Sequence, residues 1–453
     1  MGLGMAILAR RQGLMERFAF PVMFFSGDRL SRNFRANRYP FRASSHFLYF
    51  AGISLAGAVL YLEGDRQILF FDLPTADEAL WHGEFMRRDQ LQSLLAVAKI
   101  LPKSDLAQYI SGASTIPLTD PFQRLEQSQI LERELTTPNQ LTGGDRQLAE
   151  AIIDLRLSHD EMALLEIRRA IAVSVQAHKR GMSTAVTANT EAQVRGAIEG
   201  YLISQQMNCA YNSIVSVAGE VLHHESSPNP LHLGDLLLVD AGAETMNGWA
   251  ADLTRTYPVS GKFSATQRDI YNVILNAHDQ AIAAIKPGLE FHELHSLAAK
   301  LITQGLLDLG ILKGHLDDLL SENIVSTFFP HGLGHLLGLD VHDMEDLGDL
   351  AGYASGRQRS KKFGQCFLRL DRPLQENMVV TIEPGFYQVP AILGDRHTRE
   401  PFKSMINWDK LKKFHDVRGI RIEDDILVTT NNAQNLSHAL FTKTDDIENF
   451  MNP

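Results

Sequence analysis

The stretch HGLGHLLGLDVHD, residues 331–343, holds three histidines, three glycines and two aspartates in thirteen residues. Glycine disfavours a regular helix and lets the backbone approach other groups closely. Imidazole is the side chain that most often binds metals and exchanges protons near neutral pH. The question raised by His331, His335 and His342 is therefore which of them bind a metal and which carry out chemistry.

Carboxylates end or interrupt three apolar runs elsewhere in the chain. Asp240 ends the run in LLLVDAGAE (236–244), Glu383 follows the run in MVVTIEPGFY (378–387), and Glu423 lies within IRIEDDILVT (420–429). A carboxylate among Val, Ile and Leu is expected to be buried and then needs a cation or several donors. One such acid is commonly explained by an arginine or a cap, but several acids with nearby histidines suit Mn²⁺, Fe²⁺, Co²⁺ or Zn²⁺.

Asp252 joins this set because it lies twelve residues after Asp240. The intervening Asn247-Gly248 favours a hairpin turn, which predicts that the two aspartates lie opposite each other on neighbouring strands. Two carboxylates placed side by side repel each other unless a cation lies between them. Two divalent ions sharing such carboxylates would serve metal-assisted hydrolysis.

The rest of the chain predicts an α/β protein of at least two domains, since 453 residues exceed a single core. The first third contains a small sheet, with strands predicted at 46–53, 57–64 and 66–73 and a helical pattern at 89–101. Turn-forming residues around 135–150 predict a linker, and helices are predicted at 158–181 and 190–207.

Composition excludes several classes of protein. A net charge of −11 argues against binding to nucleic acid or to an anionic membrane surface. Two cysteines, Cys209 and Cys366, are too few for a disulfide framework and indicate a reducing compartment. No run of 18 apolar residues occurs and the N-terminal charge pattern is the reverse of a signal peptide, so we expect a cytoplasmic protein.

Four segments in this order resemble the Xaa-Pro peptidases, the aminopeptidase P and prolidase group of the pita-bread metallopeptidases: DAGAETMNGWAADLTRTYP, HGLGHLLGLDVHD, TIEPGFY and GIRIEDD. The resemblance covers roughly residues 155–435, and YPFRASSHFLYFAGI (39–53) is similar to the family's N-terminal domain. It implies an α/β (α+β) fold with a small mixed-sheet N-terminal domain, residues 1–155, and a pita-bread catalytic domain, residues 156–453.

The resemblance also implies a site with two divalent ions, Mn²⁺ foremost and Co²⁺ or Zn²⁺ as alternatives. The implied ligands are Asp240, Asp252, His335, Glu383 and Glu423. Asp252 and Glu423 would bridge the ions, and Glu383 would double as the general base. In the family the two aspartates lie eleven apart, so either the hairpin turn absorbs one extra residue here or a bulge turns Asp252 away.

Substrate-side residues follow from the same resemblance. His331 and His342 would be catalytic, stabilising the tetrahedral intermediate or moving protons. The implied substrate-binding residues are His223, Arg369, Arg421 and Tyr387. The predicted partners are proline-containing peptides, and the family's habit implies a homo-oligomer, either a dimer or a tetramer.

Several functions stay open at this point. We expect an Xaa-Pro aminopeptidase, which removes the N-terminal residue ahead of proline. Prolidase is the nearest alternative, because Arg369 lies fourteen residues before Glu383 and resembles the prolidase arginine that binds a free carboxylate. Metal-free creatine hydrolysis and an inactive binding module of the same fold are remote alternatives, because both have lost ligands that this chain keeps.

Overall fold

A computed structural model describes residues 2–224 and 226–452, without the side chains of Ala76, His397 and Thr398. The chain divides into two compact units. The first comprises Met1–Leu164 and Met344–Ala351, and the second comprises Leu165–Asp343 and Gly352–Pro453. The predicted domain limits, 1–155 and 156–453, stay a prediction, because the limits of a compact unit and those of a family domain need not coincide.

The first unit is built around a four-stranded sheet. Its helices are α1 (Leu3–Arg17), α2 (Ser45–Ala51), α3 (Ala76–His82), α4 (Arg88–Leu95), α5 (Pro121–Ile130) and α6 (Gly143–Arg156). Its strands are β1 (Val22–Phe25), β2 (Ser31–Phe34), β3 (Asn37–Arg38), β4 (Val59–Glu63), β5 (Arg66–Phe70) and β6 (Lys99–Leu101). The sheet order is β1-β4-β5-β6, with β6 parallel to β5 and the other pairs antiparallel, so the predicted small mixed sheet is confirmed.

Three sequence predictions in this unit differ from the structure. The helical pattern predicted at 89–101 covers helix α4, but its last three residues form strand β6. Residues 46–53 do not form a strand, because helix α2 covers most of them, with Ser44 as its N-cap and Gly52 as its left-handed C-cap. All seven residues of α2 are buried, so no alternation of polar and apolar residues distinguishes it from a strand. The predicted linker around 135–150 is also wrong in part, since helix α6 begins at Gly143.

The second unit carries the carboxylates and histidines singled out above. Its helices are α7 (Glu161–Ala185), which begins in the first unit, α8 (Glu191–Ser204), α9 (Ala265–Ala284), α10 (Phe291–Asp308), α11 (Leu316–Ser321), α13 (Pro390–Gly394), α14 (Arg396–Arg399), α15 (Trp408–Leu411) and α16 (Thr444–Met451). Helix α12 (Asp349–Gly352) belongs to the first unit except for its last residue. Its strands are β7 (Asn208–Cys209), β8 (Ile214–Ser216), β9 (Leu236–Asp240), β10 (Ala243–Glu244), β11 (Thr254–Pro258), β12 (Val379–Ile382), β13 (Gly385–Tyr387), β14 (Gly419–Arg421), β15 (Asp424–Val428) and β16 (Ala433–Asn435).

Short sheets bring the ends of these strands together. The orders are β11-β9-β8, β12-β15-β16 and β13-β14, with every pair antiparallel. Isolated bridges join Thr254 to Glu423 and Leu336 to Val380, so the histidine-rich stretch lies against β12. Within the described residues, no helix is long and apolar enough to cross a membrane.

Candidate metal centre

Asp240 and Asp252 lie on one antiparallel hairpin, at its inner end. The register pairs Asp240 with Thr254, so the predicted direct opposition of the two aspartates is wrong by two positions. Asp252 is instead the diagonal neighbour, and a shift of two residues keeps both side chains on the same face. The turn is closed by the bond from Gly248 N to Thr245 O, 2.9 Å, and Gly248 has the left-handed φ of 89°.

A tyrosine that the sequence did not single out joins the two aspartates. The Tyr211 Oη lies 2.6 Å from Asp240 Oδ1 and 2.6 Å from Asp252 Oδ1. The expected alternative in which a bulge turns Asp252 away is therefore wrong. Tyr211 precedes β8, whose Ile214 pairs with Asp240, and nothing in the sequence around it distinguishes it from an ordinary core tyrosine.

Arg421, the last residue of β14, and Glu423, in the connection to β15, reach the same point. Thr254 Oγ1 donates to Glu423 Oε2 at 2.7 Å, and the backbone N of Glu423 donates to Thr254 O at 3.0 Å. Arg421 is buried, and it pairs with Asp240 Oδ2 and donates to Thr254 Oγ1 at 3.0 Å. The Arg421 guanidinium is thus paired with the Asp240 carboxylate of the site.

His335 is the histidine of the stretch that faces these carboxylates. Its Nε2 lies 3.3 Å from Asp252 Oδ2, 3.8 Å from Glu383 Oε1 and 4.0 Å from Glu423 Oε1. Its Nδ1 contacts Leu336 O at 3.0 Å, which fixes the ring with Nε2 toward the acids. The His342 ring packs edge-on against it, with centroids 4.3 Å apart.

Glu383 and His331 form the other side of the site. Glu383 lies between β12 and β13, and its Oε2 is 3.7 Å from His331 Nδ1. His331 contacts Gly332 O through Nδ1 at 2.8 Å and Tyr387 Oη through Nε2 at 2.9 Å. Because Gly332 O can only accept, Nδ1 carries the proton and Nε2 accepts from Tyr387. Arg421 Nη1 in turn donates to Tyr387 Oη at 3.2 Å.

Burial and mutual repulsion raise the pKa values of these acids when no cation is present. Burial, followed by the charge of Asp240, raises the pKa of Asp252 to about 7. Burial raises the pKa of Glu383 to about 6. Burial, followed by the charges of Asp252 and Glu383, raises the pKa of Glu423 well above its usual range.

The residues present fit two divalent ions. Three overlapping groups each offer ligand atoms within 4.8 Å of one another: Asp240, Asp252 and Glu423; His335, Glu383 and Glu423; and Asp252, His335 and His342. Four carboxyl groups converge beside the guanidinium of Arg421, which leaves an excess of acidic groups in a mostly buried place. Divalent cations with oxygen and imidazole ligands would neutralise it.

His223 and Arg369 lie near the same centre, as the electrostatic effects among these residues indicate. Burial lowers the pKa of His223, and the charges of Arg421 and Arg369 lower it further. Arg369 also lowers the pKa of Glu383, where the effects of His335 and Arg421 are larger. Tyr387, by contrast, is fully buried, and its ring packs with Ile214 and Leu238.

Two family models match the chain. Residues 166–430 match Metallopeptidase family M24, and residues 7–115 match the aminopeptidase P N-terminal domain. A probable Xaa-Pro aminopeptidase of Pyrenophora teres f. teres is 33% identical over 404 residues, covering 88% of this chain and 84% of the relative. The Xaa-Pro aminopeptidase of Escherichia coli is 30% identical over 469 residues, covering 98% and 96% of the two chains.

Solved structures agree with these relatives. The structure of E. coli aminopeptidase P with the inhibitor Pro-Leu superposes with a TM-score of 0.81 at 27% identity, covering 99% of this chain and 98% of the other. Zinc-substituted E. coli aminopeptidase P in complex with product gives a TM-score of 0.80 at 28% identity, with the same coverage. These matches confirm the expected fold class. The chain therefore belongs to metallopeptidase family M24, among its Xaa-Pro aminopeptidases.

Proposed function

We propose that this protein uses two divalent ions to hydrolyse the bond between an N-terminal residue and a following proline. The observation that carries the proposal is the convergence of His335 with the buried carboxylates of Asp240, Asp252 and Glu423 and the half-buried carboxylate of Glu383, beside Arg421. The proposed ligands are Asp240, Asp252, His335, Glu383 and Glu423. An inactive binding module or a metal-free hydrolase would have no use for the complete set.

The metal ions supply the part of the chemistry that side chains alone lack. Two divalent ions in such a site lower the pKa of water toward neutrality and polarise a carbonyl group. We propose Mn²⁺ as the native metal, with Co²⁺ and Zn²⁺ as the alternatives. Oxygen-rich ligands with a single histidine favour Mn²⁺ over the softer Zn²⁺.

Glu383 is the proposed general base. Its carboxylate lies 3.8 Å from His335 Nε2 and 3.7 Å from His331 Nδ1, so it faces both the proposed metal ligands and a proposed catalytic histidine. We propose that Glu383 accepts a proton from the attacking water and passes it to the proline nitrogen. That nitrogen becomes a secondary amine on cleavage and must gain one proton to leave.

His331 and His342 are the proposed catalytic histidines. Burial lowers the pKa of His331 to about 3, so its ring is neutral and its Nε2 accepts from Tyr387. The chain from Arg421 through Tyr387 to His331 therefore fixes the orientation of the ring. His342 lies edge-on to His335, and we propose that it donates to the oxygen on which charge develops.

Recognition of proline needs a pocket rather than a backbone hydrogen bond, because a proline in a peptide has no N–H. We propose His223, Arg369, Arg421 and Tyr387 as substrate-binding residues. In addition to this proposed role, Arg421 and Tyr387 hold Asp240 and His331 in place through hydrogen bonds. His223 and Arg369 contribute near the substrate itself.

Prolidase is the second candidate, because Arg369 acts electrostatically on both His223 and Glu383 and could bind a dipeptide carboxylate. The test is turnover of Gly-Pro against Gly-Pro-Pro by the Mn²⁺-loaded protein, with an EDTA-treated control. Cleavage of the tripeptide supports the aminopeptidase. Cleavage of the dipeptide alone assigns prolidase and gives Arg369 the carboxylate. If EDTA abolishes neither cleavage, that result would contradict a metal-dependent peptidase.

We also propose a cytoplasmic location and a homo-oligomer, either a dimer or a tetramer. Cys209 and Cys366 are both free thiols, which suits a reducing compartment. Leu80 and Trp81 are each 79% exposed, and adjacent apolar side chains of this size are the kind that subunit interfaces bury.

A further inference from the structure

Glu191 is a buried acid that the proposed reaction does not use. It is the first residue of helix α8, behind the N-cap Thr190, and it is 0% exposed. A buried carboxylate is costly unless several donors surround it. Its partners therefore indicate what it is for.

Three N–H groups from the two ends of one loop converge on the Glu191 carboxylate. At the start of the loop, the Val217 backbone N donates to Oε1 at 2.8 Å. At its end, the Asn229 backbone N donates to Oε2 at 3.0 Å, and Asn229 Nδ2 donates to Oε1 at 2.9 Å. The Glu191 backbone N returns a bond to Asn229 O at 3.1 Å. The loop 217–229 is thus closed at its base by one carboxylate.

The loop carries His223, the proposed substrate histidine, between these two ends. Close packing fixes its first part, since a Cβ on Gly219 would lie 2.9 Å from Gly419 O. Next to it, Arg418 Nε donates to Glu220 Oε1 at 3.0 Å. Leu222, which precedes His223, packs against Ile214 and Leu238, so His223 lies between this packed part and the end of the loop that Glu191 binds.

We propose that Glu191 is a positioning residue that holds His223 against the substrate through the base of this loop. The inference rests on the substrate role proposed above for His223. A charged acceptor makes stronger hydrogen bonds than a neutral one, and the helix N-terminus favours the negative charge. Glutamine cannot replace it, because its NH₂ group would face one of the N–H donors.

The test compares Glu191→Gln with the matched variant Glu199→Gln. Glu199 lies on the same helix and pairs with Arg195 at 2.7 Å. With a proline tripeptide and saturating Mn²⁺, we expect Glu191→Gln to raise KM about tenfold with kcat nearly unchanged. Glu199→Gln should leave both unchanged. Amide exchange at Val217 and Asn229 should accelerate in Glu191→Gln only.

A double-mutant cycle separates positioning from general damage. In the His223→Ala background, Glu191→Gln should raise KM no further, because there is no imidazole left to hold. An equal rise in both backgrounds, or an unchanged KM in a folded Glu191→Gln protein, would overturn the inference. If Glu191→Gln does not fold, Asn229→Ala replaces it, since that change removes one bond and keeps the carboxylate paired.

The outcome also distinguishes this inference from the proposed function. If His223→Ala alone leaves KM unchanged, the substrate role of His223 fails, and the positioning role of Glu191 fails with it. If His223→Ala raises KM and Glu191→Gln raises it by its full factor again in that background, the substrate role of His223 stands and only the positioning role of Glu191 fails.

Discussion

Among single residues, Tyr211 shows where protons must lie in the metal-free site. One phenolic hydroxyl has one proton, yet it lies 2.6 Å from oxygens of both Asp240 and Asp252. Only one of these contacts can be donated by the tyrosine, so a second proton must lie on a carboxyl group when no metal is bound. The raised pKa of Asp252, about 7, is consistent with that proton.

Tyr211→Phe should weaken metal binding without removing a proposed ligand. Loss of a hydrogen-bond partner behind a ligand typically costs about 10–100-fold in affinity or activity. We expect a shift of that size in the Mn²⁺ concentration for half-maximal turnover, with activity recovered at high Mn²⁺. Tyr201→Phe, on helix α8, is the control. A Tyr211→Phe protein with unchanged metal dependence would contradict the role.

Asp252→Asn should be more severe, because it removes a proposed bridging ligand. We expect the bound metal, measured by elemental analysis after dialysis, to fall below that of the wild type. Turnover should fall by more than the roughly 100-fold typical of an outer partner. Wild-type turnover in this variant would mean that the metal site is placed wrongly.

At the scale of elements, glycines set how closely the histidine stretch approaches strand β12. A Cβ on Gly334 would lie 1.9 Å from Thr381 O, next to the bond from Thr381 N to His335 O at 3.0 Å. No side chain fits there without moving the backbone that places His335. The histidine stretch can therefore approach strand β12 this closely only because residue 334 has no side chain.

Gly334→Ala should displace His335 and abolish metal-dependent activity while lowering thermal stability. The comparison is Gly196→Ala, a mid-helix position where a Cβ would meet nothing within 4 Å. That change should be neutral or stabilise by about 0.5–1 kcal/mol, because alanine loses less entropy in a helix. Differential scanning calorimetry measures the thermal stability of the two variants, and turnover measures their metal-dependent activity. Equal behaviour of the two variants would contradict the contact argument.

Helix α7 is attached to the hairpin that carries Asp240 by two side chains one turn apart. Ser174 Oγ accepts from Ala243 N at 2.9 Å, and His178 Nε2 donates to Ala241 O at 2.9 Å. Burial, aided by the charge of Arg255, lowers the pKa of His178 from 6.5 to about 4. The imidazole is therefore neutral in the folded protein and takes up a proton on unfolding below pH 6.5.

This linkage predicts acid sensitivity with a definite sign. The stability from neutral His178 is complete above pH 6.5 and is lost as pH falls through about 4, up to about 3 kcal/mol. His178→Gln keeps a donor but cannot titrate, so its free energy of unfolding should fall less between pH 7 and pH 4.5. Urea unfolding at several pH values measures this. The exposed His315→Gln should follow the wild type, and parallel curves for all three would contradict the assignment.

Some of these elements could be predicted from the sequence and some could not. Strands ending in Asp240 and preceding Glu383 were predictable, because acids stood out against apolar runs. Helix α2 was not, because a fully buried segment has no periodicity to read. The hairpin register was missed by two residues, since the Gly248 bend shifts the pairing. Tyr211 was missed because its role depends on strand neighbours far apart in sequence.

At the scale of the whole molecule, the first unit is assembled from two separate pieces of chain. Met344, Leu347 and Ala351 are each only 1% exposed, and they belong to the short piece 344–351. Asp346 adds a bond to His46 Nε2 at 3.0 Å. Residues that follow the histidine stretch in sequence thus belong to the compact N-terminal unit.

Leu347→Ala should destabilise the protein by about 2–5 kcal/mol, as expected for a fully buried leucine. The exposed Leu233→Ala, at 87% exposure, should change stability by less than about 0.5 kcal/mol. Urea unfolding with probes in residues 1–164 measures the effect. A change no larger than that of Leu233→Ala would show that the short piece is dispensable to the first unit.

The divided first unit has a consequence during synthesis on the ribosome. Residues 1–164 emerge first, but the other piece of their unit begins only at Met344, 180 residues later. At about 5–20 residues per second, the nascent N-terminal unit waits roughly 10–40 s for its last segment. During that interval the unit lacks the buried side chains of Met344, Leu347 and Ala351, so we expect it to finish folding only after most of the catalytic half has been translated.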